Sequence, residues 1–234
     1  MKVIFIKEIK QFFCGITGYV FLSIFLFFAG YYFVVGNLIS QVGDISTFFL
    51  SIHTVVMFIL PLLTMRSFAE EAKQKTEQLL ITSPLSLKNI VLGKFFATLS
   101  FFAIGLCVTF IYVAILAYYG NFDILATIGN YTAMLLAAAA FIAIGVFISS
   151  LTENQIVAAV ITYSVLMCLW VMDFLNTYVS DDTLKNIIKY CSFRNRFTEL
   201  AMGIFSLSAM VYYLSITLLF LFLTVRILDK RRWC

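Results

Sequence analysis

Six long apolar stretches follow one another along the chain, and shorter polar or mixed segments separate them. A transmembrane α-helix needs about 20 predominantly apolar residues at a rise of about 1.5 Å per residue. The stretches that meet or approach this length are residues 16–35, 48–65, 95–119, 131–151, 156–176 and 209–228. They do not alternate apolar and polar residues, as the strands of a membrane β-barrel would. The pattern predicts an all-α integral membrane protein with six transmembrane helices.

Composition supports this class. Apolar residues make up 62% of the chain and charged residues 12%, against about 45–50% and about 25% in soluble domains. A soluble fold of this size has no means of hiding so much apolar surface from water, whereas lipid tails are themselves an apolar solvent. The formal net charge of +4 is too small to indicate nucleic-acid binding. The five cysteines show no CxxC or Cys/His spacing, so we expect neither a disulfide nor a metal site.

Basic residues are distributed unequally between the two sides of the predicted bundle. Six spans place both termini on one side, and the opposite side carries only Lys185, Lys189, Arg194 and Arg196 of the 16 Lys and Arg residues. Because positive charge is retained on the cytoplasmic side of a membrane, the asymmetry predicts that both termini are cytoplasmic.

The segment before the first span has an amphipathic pattern. Its apolar residues at helical spacing are Phe5, Ile6, Ile9, Phe12 and Phe13, with Lys2, Lys7 and Lys10 between them. This favours a helix in the inner membrane interface, with its lysines toward anionic headgroups. A plain basic flank before the first span is the alternative.

Two loops also carry structural signals. In the loop 66–94, Glu71 and Lys75 stand at the i,i+4 spacing of a helical ion pair, and Pro84 ends that helix. We therefore expect a structured helix–turn–helix extension there. The outer loop 177–208 is long yet apolar in a helical pattern, with Asp181 and Asp182 placed to cap a helix start. It predicts short amphipathic helices that dip into the outer leaflet.

The residues of common enzymes are missing. The sequence has no HExxH or GxSxG motif. Its one histidine is His53, and a single histidine on such an apolar helix is more often a packing residue than a ligand. The only Gly-Lys pair is Gly93-Lys94, but Lys88 and Phe95 occupy positions where a phosphate-binding loop needs Gly and Ser or Thr. We expect no enzymatic activity on this chain.

The span centres hold almost no Asp, Glu, Lys or Arg, which weakens an ion-coupled transport mechanism. The fourth span instead carries small residues at multiples of four, among them Ala133, Ala137, Gly145 and Ser149. Small residues at this spacing let helix backbones approach closely in lipid. The pattern fits packing within the subunit or a dimer seam, and the sequence leaves both open.

Several motifs resemble those of ABC-2 type transporter permeases. RSFAEE at 66–71, TEQLLITSP at 76–84 and GK at 93–94 are similar to the coupling-helix region of that family. SSLTENQ at 149–155, together with residues 203–204, 212–215 and 231–233, resembles the gliding-motility-associated ABC permease subgroup. The resemblance covers nearly the whole chain.

This resemblance implies one ABC-2 type transmembrane domain, residues 1–234, with an N-terminal interfacial elbow helix, a cytoplasmic coupling helix and short outer helices between spans five and six. Two permease copies, or one copy and a paralogue, would pair with two ATP-binding cassette ATPase subunits in a bacterial plasma (inner) membrane. ATP and Mg would bind to the ATPase partner, and no cofactor to this chain.

The resemblance also implies site residues. The expected ATPase contacts are Glu70, Glu71, Thr76, Glu77, Leu79, Leu80 and Pro84. Apart from the resemblance, we expect the loop 177–208 to form an outer gate or lid, with Asp181, Ile187, Arg194, Phe197 and Ile204 as its residues. The family commonly has Gly just before the Thr-Glu pair, whereas this chain has Lys75 there, and helix propensity then favours a continuous helix through that point.

We therefore expect the permease subunit of an ATP-driven exporter of a lipid, a peptide or another amphipathic substrate. A non-transporting membrane scaffold or immunity-type subunit that binds a partner is one alternative. An ion-coupled secondary transporter that works alone is another.

Overall fold

All six predicted spans are helices in the computed structural model, which describes residues 1–41, 43–76, 86–119, 123–175, 192–202 and 206–233. The described residues contain no strand. The helices are α1 (Lys2–Cys14), α2 (Ile16–Phe33, continued by a π-helical turn, Val34–Ile39), α3 (Ser46–Thr64), α4 (Ala69–Lys73), α5 (Leu87–Val108), α6 (Phe110–Tyr119), α7 (Ile124–Leu151), α8 (Gln155–Leu175), α9 (Phe193–Ala201) and α10 (Leu207–Trp233). Spans one to six are α2, α3, α5 with α6, α7, α8 and α10. The predicted fold class is confirmed.

Span four, α7, lies at the centre of the bundle. It contacts α3, α5, α8, α9 and α10. In its apolar 18-residue segment 78% is buried, compared with 17% in the corresponding segment of α8. A methyl group on Gly145 would collide with the side chain of Thr64 in α3. The small face of α7 around Gly145 therefore serves close packing within the chain, one of the two uses that the sequence left open.

The two ends of the bundle differ in what covers them. We call the end that carries α1, α4, the start of α5 and the last turns of α10 the terminal end, and the opposite end the far end. At the far end α9 lies across the bundle, with contacts to α3, α7, α8 and α10. Its apolar residues Phe193, Phe197, Leu200 and Ala201 are buried. The apolar face of this helix therefore packs against the rest of the chain, and its position in the outer leaflet stays a prediction.

The helix after span two is shorter than expected. We predicted a continuous helix through Lys75, but α4 ends at Lys73, and Lys75 adopts the left-handed conformation with φ 56°. Its N–H donates to the carbonyl of Ala72 (3.0 Å), and the N–H of Thr76 donates to that of Glu71 (3.0 Å). These two bonds form a Schellman motif, which usually places Gly at this position. The prediction failed because helix propensity does not include the stabilisation that such a motif gives to the last carbonyls.

Lys75→Gly should preserve this helix end and relieve left-handed strain of about 1 kcal/mol. In this variant we expect the backbone amides of position 75 and of Thr76 to keep or gain protection from hydrogen exchange. Lys73→Gly is the matched control, because it places the same flexible residue inside α4 and should reduce protection. Lower protection in Lys75→Gly than in Lys73→Gly would contradict the assignment.

Candidate functional site

A lysine is buried at the terminal end. Lys94 lies two turns into α5, and its side chain is 2% exposed. Its ammonium donates to Glu8 Oε1 of α1 (2.7 Å) and to the carbonyl of Ser67, and it lies 2.9 Å from Glu71 Oε2 of α4. Burying an unpaired ammonium costs several kcal/mol, so these oxygens are what allow Lys94 to be charged in this position.

The partners of Lys94 come from two separate segments. Glu8 belongs to the buried stripe of α1, together with Ile4 and Phe12, while Ser67 and Glu71 belong to the segment that leaves span two. The ring of Phe68 adds a cation–π contact, with 5.0 Å from Nζ to its centroid. One ammonium therefore holds α1, α4 and the base of α5 together.

An arginine makes a second connection beside the first. Arg66 donates to both oxygens of Glu70, with Nε at 2.7 Å and Nη2 at 2.9 Å, and its Nη1 donates to Thr17 Oγ1 of α2 at 2.6 Å. Planar two-point pairing of this kind fixes orientation as well as distance. The ammonium of Lys7 lies 3.1 Å from Glu71 Oε1, but its side chain is 58% exposed, so this ion pair adds little to stability. We call Lys7, Glu8, Arg66, Glu70, Glu71 and Lys94 the charge cluster.

Span four contributes a hydroxyl to the same region. The Oγ of Ser149 accepts hydrogen bonds from the N–H groups of Phe68 (3.0 Å) and Ala69 (3.1 Å), and it donates to the carbonyl of Met65 (3.1 Å). It thus satisfies N–H groups at the start of α4 that have no partner within that helix. The position of α4 is therefore fixed by span four as well as by Lys94.

The predicted ATPase contacts fall into two groups. The carboxylates of Glu70 and Glu71 are engaged in ion pairs within the chain, and Thr76 forms the Schellman motif after α4. Glu77, Leu79, Leu80 and Pro84 lie outside the described residues. Contact with an ATPase stays a prediction for all seven, while the structure gives Glu70 and Glu71 a role inside the fold of the chain that the sequence did not reveal.

The structure describes only some residues of the predicted outer gate. Asp181, Ile187 and Ile204 lie outside the described residues. Arg194 is exposed on α9, whereas Phe197 is fully buried with its ring 4.2 Å from that of His53 in span two. His53 is thus a packing residue in an aromatic contact between α3 and α9.

The C-terminal end of α9 is also fixed by hydrogen bonds. Asn130 of α7 donates through Nδ2 to the carbonyl of Ala201 (3.1 Å) and to Ser46 Oγ of α3 (3.2 Å). Asn130 is fully buried, so the Asn-Tyr-Thr sequon that it begins is inaccessible to glycosylation. These bonds join the far-end helix to spans two and four.

The geometry of the charge cluster is that of a connection between segments of the chain, and not that of a binding pocket. The cavity that it lines has a volume of about 20 Å³, room for about one water molecule and not for a substrate. Among the described residues, no group of three or more His, Cys, Asp or Glu side chains is placed to hold a metal ion. What the arrangement can do is transmit force between the segment after span two and span three.

Comparison with protein families identifies this architecture. A family model described as "ABC-2 family transporter protein" matches residues 3–233, nearly the entire chain. The chain belongs to the ABC-2 transporter family. The permease assignment agrees with the six spans, and the family implies an ATPase partner in an ABC transporter. A search of curated proteins found no match. The gliding-motility subgroup stays a prediction.

Sequence reasoning missed three working residues of this permease. Lys94 was noted only as a basic residue and within the Gly93-Lys94 pair, Glu8 was not noted among the neighbouring lysines, and Ser149 was noted only for its small size and as part of the SSLTENQ motif. One signal was present for Lys94, because it follows Gly93 directly and precedes a long uncharged and mostly apolar run, where an unpaired charge is costly. Its partners are 86 and 23 positions away, a distance that no local pattern reveals.

Lys94→Met should destabilise the permease by about 3–5 kcal/mol, because Glu8 and Glu71 would remain buried without a cation. Denaturant unfolding in detergent measures the effect. Lys88→Met, an exposed change on the same helix, should alter stability by less than about 0.5 kcal/mol.

The triple variant Lys94→Met, Glu8→Gln, Glu71→Gln removes the charges together and should recover most of the lost stability. If the triple variant is as unstable as Lys94→Met alone, the loss comes from packing and not from unpaired charge.

Proposed function

We propose that the chain is the permease subunit of an ABC exporter, in which a separate ATPase moves the segment after span two and the charge cluster passes that motion to span three. The observation that carries the proposal is the ion pair between Glu71 and Lys94. It joins the RSFAEE stretch, which resembles part of a coupling region, to a transmembrane helix by an ion pair that is buried and costly to break.

The location of charge supports an external energy source. Among the Asp, Glu, Lys and Arg side chains of the described residues, Glu8, Glu71 and Lys94 are the buried ones, and all three lie at the terminal end. A proton- or sodium-driven transporter usually needs ionisable groups near the membrane centre. The phosphate-binding loop that ATP would require is missing from the sequence as well. ATP and Mg therefore belong on the partner ATPase in this proposal, and this chain carries no enzymatic activity.

The far end supports a closed outer gate. Phe197 of α9 packs on His53, and Asn130 ties the end of α9 to spans two and four. A helix held across the bundle in this way obstructs the end of a pathway, and its release would open it. In the proposal, α9 and its neighbours in 177–208 act as the outer lid.

The remaining features of the proposal follow from surface and charge. The basic residues of the terminal end support a topology in which both termini lie on the cytoplasmic side of a bacterial inner membrane. The sparsely buried faces of α2, α8 and α10 leave room for a second permease copy or a paralogue as well as for lipid. An aromatic and nearly uncharged set of spans favours a lipid, a peptide or another amphipathic cargo.

The test uses the complex of the permease with its ATPase, isolated together by pull-down and reconstituted in liposomes. Glu77→Lys should abolish stimulation of ATP hydrolysis by the permease, because it reverses the charge in the expected docking segment. Glu153→Lys is the matched control, since it makes the same change at an exposed position of the terminal end and should retain stimulation.

Normal stimulation by Glu77→Lys would contradict the docking assignment. A complex whose ATPase activity never responds to the permease would favour the non-transporting scaffold or immunity-type subunit. Transport by the isolated chain without ATP would favour the ion-coupled transporter.

A further inference from the structure

A groove of about 420 Å³ lies between spans three and six, away from the charge cluster. Its walls are mostly apolar, and α5 and α10 supply them: Val91, Leu92, Leu218, Leu221, Phe222 and Val225. Lys88, Arg226 and Asp229 line its terminal end. The groove therefore has one long apolar part and one charged mouth, which is the polarity of a phospholipid.

The dimensions of the groove fit part of an acyl chain. Leu218 and Arg226 are eight residues apart on α10, which corresponds to about 12 Å along the helix axis. Leu218 is 67% exposed and Phe222 58% exposed, so this wall is open along its length. Only a molecule that is itself apolar over this length covers it without leaving voids or trapping water.

The mouth of the groove is positively charged. No carboxylate lies within ion-pairing distance of Lys88 or Arg226 among the described residues, and Arg226 is positioned over the ring of Phe222 with 5.1 Å from Cζ to the centroid. Among the residues that the structure describes, Asp229 is the one acidic side chain that lines the mouth. The adjoining turn of α10 adds Lys230, Arg231 and Arg232, so the surrounding surface has a net positive charge.

We propose that this groove binds one anionic phospholipid of the leaflet at the terminal end. Its phosphate lies between Lys88 and Arg226, and one acyl chain lies along Leu218, Leu221 and Phe222. A zwitterionic lipid fills the apolar part equally well, but its headgroup gains less electrostatic binding free energy at the mouth. The site therefore selects lipids by headgroup charge. The proposal does not depend on the direction of transport or on the ATPase partner.

Selectivity for the headgroup is tested by native mass spectrometry of the full-length protein in detergent. The experiment measures the binding of added phosphatidylglycerol or phosphatidylcholine. Two basic residues near a membrane surface correspond to about 30-fold in affinity for an anionic lipid. Lys88→Gln with Arg226→Gln should lose about this factor for phosphatidylglycerol and change little for phosphatidylcholine. Lys230→Gln with Arg232→Gln removes equal charge outside the groove and should change phosphatidylglycerol binding less than threefold. Equal affinity of the unaltered protein for both lipids, or equal losses in the two double variants, would overturn the proposal.

The acyl chain is tested on the apolar wall. Leu218→Trp fills the groove and should eliminate the tightly bound phosphatidylglycerol, whereas Leu219→Trp, on the adjacent exposed position outside the groove, should retain it. A photoreactive residue at position 218 should form adducts with phosphatidylglycerol. Adducts with a second copy of the chain would assign the groove to an interface between copies and overturn the proposal.

Discussion

The structure depends on one buried ammonium. Lys94 is 2% exposed, and its charge is balanced by Glu8 of α1 and Glu71 of α4 together with the carbonyl of Ser67. A charge in such a place is tolerated only while its partners remain. Separation of α1, α4 or the base of α5 would therefore leave an uncompensated buried charge. This constraint makes three segments that are distant in sequence behave as a single mechanical element.

Packing around Lys94 strengthens the same connection. A Cβ atom on Gly93 would lie 3.2 Å from Cβ of Ile4, so the absence of a side chain at Gly93 lets α1 approach α5 closely. The rings of Phe12 and Phe101 stack at 5.0 Å further along the same pair of helices. Ser149 fixes the start of α4 from span four. In the proposed function, a force applied to the segment after span two reaches the base of span three through this chain of buried contacts.

The sequence predicted the spans well because lipid imposes a simple rule: about 20 consecutive apolar residues in each helix. It did not reveal the charge cluster, because that cluster depends on contacts that the rule does not contain. Glu70 and Glu71 were predicted to contact the ATPase, which stays a prediction, and only the fold shows that their carboxylates pair with Arg66 and Lys94 within the chain. Lys75 was expected to continue a helix, yet hydrogen bonds at the end of α4 stabilise a left-handed residue there. Phe197 was assigned to a lid from its place in an amphipathic pattern, and only the fold shows that it packs on His53.

The central claim is that α1 and the base of α5 move as one body during the ATPase cycle. Ile4→Cys with Gly93→Cys, in a chain whose native cysteines are replaced, tests it directly because the two Cβ atoms are close enough for a disulfide after a small adjustment. We predict that the disulfide forms on mild oxidation and leaves stimulation of the partner ATPase at the level of the reduced protein. Loss of stimulation on oxidation, with recovery on reduction, would show that the two helices must separate and would contradict the claim.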